Sequence, residues 1–215
     1  MRRIIAATRG PDRWLSCAYS MVSPIYDFLW VREDMRRDLV GRLRLQTGQI
    51  VLETGVGTGA NLPLLCDAVG VSGKVEGVDV SAGMLGRAER RAACLPCPVR
   101  LTLHNASNLP YPDNSFDAVL HFGGINFFTD RKRAIAEMVR VSKEGARLVI
   151  ADETLALRGH WGDIISERML GLFPRLRPPL DLLPMQARVL GLDHSPRGFF
   201  YILEMQKDGA VGSKA

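Results

Sequence analysis

Glu53-Thr54-Gly55-Val56-Gly57-Thr58-Gly59 is the stretch on which the reading of this chain turns. It follows the short apolar run Gln49-Ile50-Val51-Leu52 and precedes a helical pattern from about Ala60 to Val69, so it reads as a turn between a strand and a helix. Three glycines at alternate positions let the backbone turn sharply and approach a ligand that a Cβ atom would block. Open parallel sheets bind ligands beyond the carboxyl ends of their strands, and this turn occupies such an end.

Working outward, Lys74-Val75-Glu76-Gly77-Val78-Asp79-Val80 is a second strand. Asp79 lies about 20 residues past the glycines, where a carboxylate accepts hydrogen bonds from both hydroxyls of a ribose. Ser81 caps a helix with Met84, Leu85 and Ala88 on one face. Val99 to His104 alternates as a third strand and Phe116 to Phe122 is a fourth. Arg131 to Ser142 forms a helix with Ile135, Met138 and Val139 inward, and Ala146 to Ala151 makes the fifth strand. Past Ala151 the rhythm breaks: a helix is expected over Asp163 to Phe173, then a proline-rich loop. Two strands over 187–193 and 199–205 follow, joined by Ser195-Pro196-Arg197-Gly198. The fold class is therefore α/β, doubly wound and mostly parallel, ending in an antiparallel hairpin.

The 215 residues suffice for one domain with a full core. The expected organisation is an amino-terminal helical lid over 1–45, the main domain over 46–207 and a frayed tail over 208–215. No apolar stretch approaches the roughly 20 residues of a spanning helix, and no cleaved signal peptide is expected. Residues 1–44 hold nine arginines against five acidic residues, so nearly all of the net charge of +5 sits there. Because Trp14, Phe28, Leu29 and Trp30 interleave with those arginines, this segment is either a peripheral contact with an anionic membrane or a solvated lid.

Cys17, Cys66, Cys94 and Cys97 lack the density of a disulfide framework, which points to a reducing cytoplasm. Cys94-Leu-Pro-Cys97 has metal-ligand spacing but no partner pair, so it reads as two thiols flanking a turn, and no metal is expected.

These features leave the ligand open. Gly55-x-Gly57-x-x-Ala60 also satisfies the looser dinucleotide fingerprint, which makes an NAD(P)-dependent oxidoreductase the rival reading. Glu53 weighs against it: a carboxylate two places before the first glycine repels a pyrophosphate but orients a cationic, phosphate-free ligand. The chain also shows no Tyr-x-x-x-Lys hydride-transfer site.

Five segments in order carry a family resemblance. They are Pro24-Ile25-Tyr26-Asp27, Val51 to Gly59, Gly77 to Leu85, Asn108-Leu109-Pro110-Tyr111-Pro112-Asp113-Asn114-Ser115-Phe116-Asp117, and Glu137-Met138-Val139-Arg140-Val141. With them the chain resembles the class I S-adenosylmethionine-dependent methyltransferases, in the branch of the ubiquinone and menaquinone C-methyltransferases. The resemblance runs from about Tyr19 to Glu153 and implies a seven-stranded sheet. It implies that Glu53, Gly55, Gly57 and Gly59 meet the methionine part of S-adenosylmethionine, that Asp79 binds the ribose, and that Val80, Ser81 and Met84 border the adenine. Asn105 stands where the family usually has an aspartate for the adenine amino group, with Ala106 beside it. Tyr19 and Tyr26 either reach over the methionine end or pack the lid onto the core.

Methyl transfer is an in-line displacement that needs alignment more than catalytic side chains. His121 is the candidate base and a further cofactor contact, set against the reading that it is a packed core histidine. Asp152 and Glu153 either hold an acceptor or cap the next segment. The acceptor expected is small or lipid-like and hydrophobic, facing the Leu-, Phe- and Pro-rich stretch from Leu170 to Pro184. A quinone precursor leads, and a phospholipid amine is the alternative. No nucleic-acid partner is expected.

Overall fold

The structure, a computed structural model, describes residues 33–154, 176–195 and 198–209. Tyr19, Tyr26, the arginines of the first 32 residues, the helix expected over 163–173 and the frayed tail from residue 210 lie outside them.

A helix, α1 (Glu33–Arg42), leads into β1 (Ile50–Thr54) and α2 (Leu62–Val69). Next come β2 (Lys74–Asp79), α3 (Ala82–Ala92), β3 (Val99–Leu103) and β4 (Phe116–Phe122). The chain continues through α4 (Arg131–Val141), β5 (Ser142–Glu153), β6 (Ala187–His194) and β7 (Phe200–Lys207). The seven strands form one sheet in the order β3-β2-β1-β4-β5-β7-β6. β1 to β5 run parallel, and β7 is antiparallel to both β5 and β6, as the alternation and the terminal hairpin require.

The period of two along each strand sorts side chains to two cores. Val51, Val75, Ala118, Leu120 and Val149 join Leu39, Leu62, Leu65 and Ala88 on one face. Leu52, Val78, Val119, Leu148 and Ile150 join Ile135, Met138 and Tyr201 on the other. Both faces of the central strands are thus covered, which explains why they read as continuous apolar runs. β1 lies between β2 and β4, the point where strand order reverses and a crevice opens at the carboxyl edge.

Two expectations need correction. The fifth strand does not begin at Ala146 after a Lys143-Glu144-Gly145 loop: Ser142 already pairs with Phe116, and a register irregularity absorbs the residues between. The Ser142 hydroxyl donates to the Met138 carbonyl, so helix passes to strand without a connector.

Cys94 and Cys97 are not a pair of free thiols. Cys97 is joined to Cys66 in a disulfide with Cα atoms 5.5 Å apart, and among the described residues Cys94 is the free, exposed cysteine; Cys17 lies outside them. α2 carries Cys66 into the core beside the chain entering β3, so tertiary packing brings together two cysteines that are 31 residues apart. The cysteine argument for a reducing compartment falls with that pairing. Among the described residues no helix is long and apolar enough to cross a membrane.

Candidate active site

The glycine turn is held in place by the end of β2. The amides of Gly55 and Val56 both donate to the Val78 carbonyl, at 2.7 and 3.0 Å. Gly55, Gly57 and Gly59 all have positive φ, at 68°, 54° and 78°, so each occupies backbone space that side chains disfavour. Their surroundings differ. A Cβ on Gly59 would lie 2.6 Å from Leu62 Cδ1 and 3.1 Å from Ala88 Cβ, which makes Gly59 the packing glycine. A Cβ on Gly57 would meet only the Gly55 carbonyl oxygen, at 3.9 Å, so Gly57 faces open space suited to a ligand.

Asp79 closes this arrangement. Its Oδ2 accepts from the Gly57 amide at 2.9 Å and its Oδ1 from the Ser81 amide at 2.8 Å. Burial pushes its carboxyl above the ordinary value, and amides of Ser81, Gly57 and Val80 pull the other way. Ser81 Oγ accepts from the Met84 amide at 3.3 Å, the expected cap of α3, and Met84 is buried beneath it. β3 delivers Asn105 and Ala106 to the same edge, because the His104 amide donates to the Asp79 carbonyl. Asn105 Oδ1 accepts from the Ser107 amide at 2.8 Å and starts a single helical turn; Ala106 is buried against Val78.

Glu53 is 1% exposed at the end of β1. Asn61 Nδ2 donates to its Oε1 at 2.6 Å, and its Oε2 is buried with no partner among the described residues. Burial drives its pKa up to about 8; the Asn61 hydrogen bond and the Arg36 charge oppose this, and the Asp79 charge adds to it. A buried carboxylate oxygen without a donor suits a cationic group.

His121 is 0% exposed on β4 beside Thr54. Its Nδ1 lies 2.9 Å from the Thr54 carbonyl and 3.1 Å from Thr54 Oγ1. With Nδ1–H assigned to the carbonyl, Nε2 is the bare nitrogen, buried and unpartnered among the described residues. Burial holds the imidazole below its usual pKa, so it is neutral at pH 7. The ring underlies Gly55, whose Cβ would lie 3.2 Å from His121 Cε1.

The sequence reading missed Arg36 and Asn61, and left Asp152 ambiguous. Asp152 is occupied by backbone: its oxygens accept from the amides of Gly124, Asn126 and Glu153 at 2.7–3.0 Å, shaping the loop after β4. Arg36 reaches from α1 to Asn61 Oδ1 at 2.8 Å, a contact across 25 residues with no local sequence signal. The site so built has the Asp79 carboxyl bound to two backbone amides, the buried Glu53 carboxyl with one oxygen unpartnered among the described residues, and a bare imidazole nitrogen behind the turn.

A family model described as "Methyltransferase domain" matches residues 51–145. The chain is 34% identical to a demethylmenaquinone methyltransferase of Paenarthrobacter aurescens, covering 78% of this chain and 66% of that protein. It is 34% identical to a phosphatidylethanolamine N-methyltransferase of Cereibacter sphaeroides, covering 68% of each. The chain spans about half to two thirds of the length of the first curated relatives it matches. A solved structure, a SAM dependent methyltransferase from Aquifex aeolicus, superposes with a TM-score of 0.62 at 24% identity, over 80% of this chain and 89% of that one.

Proposed function

This chain belongs to the methyltransferase family, and on that premise we propose that it transfers the methyl group of S-adenosylmethionine to a small or lipid-like hydrophobic acceptor, a quinone precursor first among them. The observation that carries the reading is Glu53: a buried carboxyl with an oxygen unpartnered among the described residues, set before the glycines, which on giving up its proton favours an amino-acid ammonium over a pyrophosphate. The same observation weighs against the NAD(P)-dependent oxidoreductase.

The cofactor supplies a methyl carbon made electrophilic by its sulfonium. Everything else is asked of the chain. Glu53 takes the ammonium, Asp79 accepts from the ribose with lone pairs left beside its amide bonds, and Val80, Met84, Asn105 and Ala106 border the adenine. Gly55 and Gly57 let the backbone come close, and Gly59 keeps the turn against α2 and α3. Alignment and exclusion of water do most of the catalysis.

His121 Nε2 is the group assigned to accept the proton that the acceptor loses, because the imidazole is neutral and its lone pair has no partner among the described residues. His121→Asn then lowers turnover by about 100-fold or more. Cofactor affinity should change far less, and an undiminished rate in a folded variant would return His121 to a packing role.

A phospholipid amine is the second acceptor reading, favoured by the Cereibacter sphaeroides relative and by the arginine-rich start of the chain. Calorimetry with S-adenosylmethionine and with NADH separates the two enzyme classes. Transfer of labelled methyl to a demethylated quinol or to phosphatidylethanolamine in vesicles then separates the acceptors. Binding of NADH alone would end the methyltransferase reading.

A further inference from the structure

Asn61 stands at the amino-terminal cap of α2, where an asparagine side chain ordinarily accepts from a backbone amide of the first turn. It makes no such bond. Its Oδ1 instead accepts from Arg36 Nη1 at 2.8 Å, and its Nδ2 donates to Glu53 Oε1 at 2.6 Å. Asn61 and Glu53 are both buried, and the Arg36 guanidinium lies 5.3 Å from the centroid of the Phe122 ring at the end of β4. α1 itself is anchored by Leu39 and Val40 in the core, and Arg42 binds Asp193 and Glu204 of the terminal hairpin at 2.6 and 2.9 Å. A helix remote in sequence is thus connected through two side chains to the carboxylate under the glycine turn.

We propose that Arg36 is a positioning residue for cofactor binding: clamped by Phe122 and Asn61, it holds the Glu53 carboxyl aimed at the ligand's ammonium, so that α1 controls the affinity of the site. The proposal rests on the methyltransferase reading. A capping side chain diverted from its helix to bridge a cation and a buried carboxylate serves the site at the expense of the helix. Among the described residues the charged groups acting on Glu53 are Arg36 from α1 and Asp79 from β2; α2 contributes the uncharged Asn61, and the Phe122 ring of β4 lies against Arg36. Arg36 favours the ionised carboxylate and Asp79 opposes it. Removing Arg36 therefore demands a higher pH before Glu53 can meet a cation.

The test is calorimetry with S-adenosylmethionine from about pH 6 to 10, in buffers of different ionisation enthalpy, on the unmodified chain, Arg36→Met, Arg36→Lys and Asn61→Ser. The unmodified chain should release close to one proton on binding near pH 7. In Arg36→Met the midpoint of the affinity curve should move up by about one pH unit, which is about tenfold weaker binding below the original midpoint. Arg36→Lys should bring the midpoint most of the way back. Asn61→Ser breaks the same link yet offers α2 a capping hydroxyl, so its midpoint should also rise while thermal stability holds; it keeps the test open if Arg36→Met folds poorly. An unmoved midpoint, or binding weakened equally at every pH, overturns the positioning role alone. Failure of the unmodified chain to bind overturns the methyltransferase reading and the proposal with it.

Discussion

Asp79 and Gly57 are joined across 22 residues by a 2.9 Å hydrogen bond from the Gly57 amide to Asp79 Oδ2. The carboxylate assigned to the ribose is therefore also the fastener of the turn. Asp79→Ala should weaken S-adenosylmethionine binding by on the order of 2–3 kcal/mol and also cost about 1–3 kcal/mol of stability, since buried amides lose their acceptor. Asp79→Asn keeps one acceptor oxygen and should fall between. Titration paired with thermal unfolding separates the two losses, and an unchanged dissociation constant in folded Asp79→Ala would remove the ribose assignment.

The three glycines should fail in different ways. Gly59→Ala pushes a methyl to 2.6 Å from Leu62 Cδ1 and toward Ala88, so it should lower the melting temperature most among single alanine changes in the turn. Gly57→Val meets little protein but fills the space a ligand needs, so it should abolish binding while a folded domain persists. Gly55→Ala, 3.2 Å from His121 Cε1, should be milder in binding than Gly57→Val. Full methyl transfer by Gly57→Val would sink the glycine-turn model.

Glu53 makes a prediction about pH. Its folded pKa of about 8 lies above the unfolded value of 4.5, so between those values the folded chain holds a proton that the unfolded chain has lost. The contribution is fully present below about pH 4.5 and is lost as pH rises through about 8. Stability in the absence of ligand should thus fall over that window by roughly 3–5 kcal/mol at this residue. Glu53→Gln, neutral throughout, should flatten the dependence in denaturant titrations compared with the unmodified chain. Parallel pH curves for the two would contradict the buried, protonated carboxyl.

The amino-terminal segment carries the membrane prediction. If its arginines and aromatics meet an anionic surface, vesicle co-sedimentation should be strong with acidic lipids at low salt and weak at about 0.5 M salt. Replacing Arg2, Arg3, Arg9 and Arg13 by glutamine should abolish it and leave cofactor affinity unchanged. Indifference to anionic vesicles at low salt would favour a soluble acceptor and a lid.

Local signals were legible where physics is local. The alternation of strand and helix, the Ser81 cap, the glycine turn and the terminal hairpin each follow from periodicity and backbone preference within a few residues. The position of Ser142 was not: only its pairing with Phe116 carries β5 back to the end of α4. The Cys66–Cys97 disulfide escaped for the same reason, since spacing drew attention to Cys94 while the fold chose Cys66.

Hydrophobic period and glycine stereochemistry act along the chain, so the α/β class, the strand after which the proposed site lies and the residue types there can be read in order of sequence. What those residues are bonded to follows from packing between distant segments. Glu53 is a buried, proton-holding carboxyl because the packing around the end of β1 shuts out water, while Arg36 and Asn61, brought in by α1 and α2, pull its pKa back down. His121 carries a bare Nε2 because β4 lies beside Thr54. Burial and hydrogen-bond partners set a side chain's charge and reach, and both come from contacts between segments that the chain order leaves far apart.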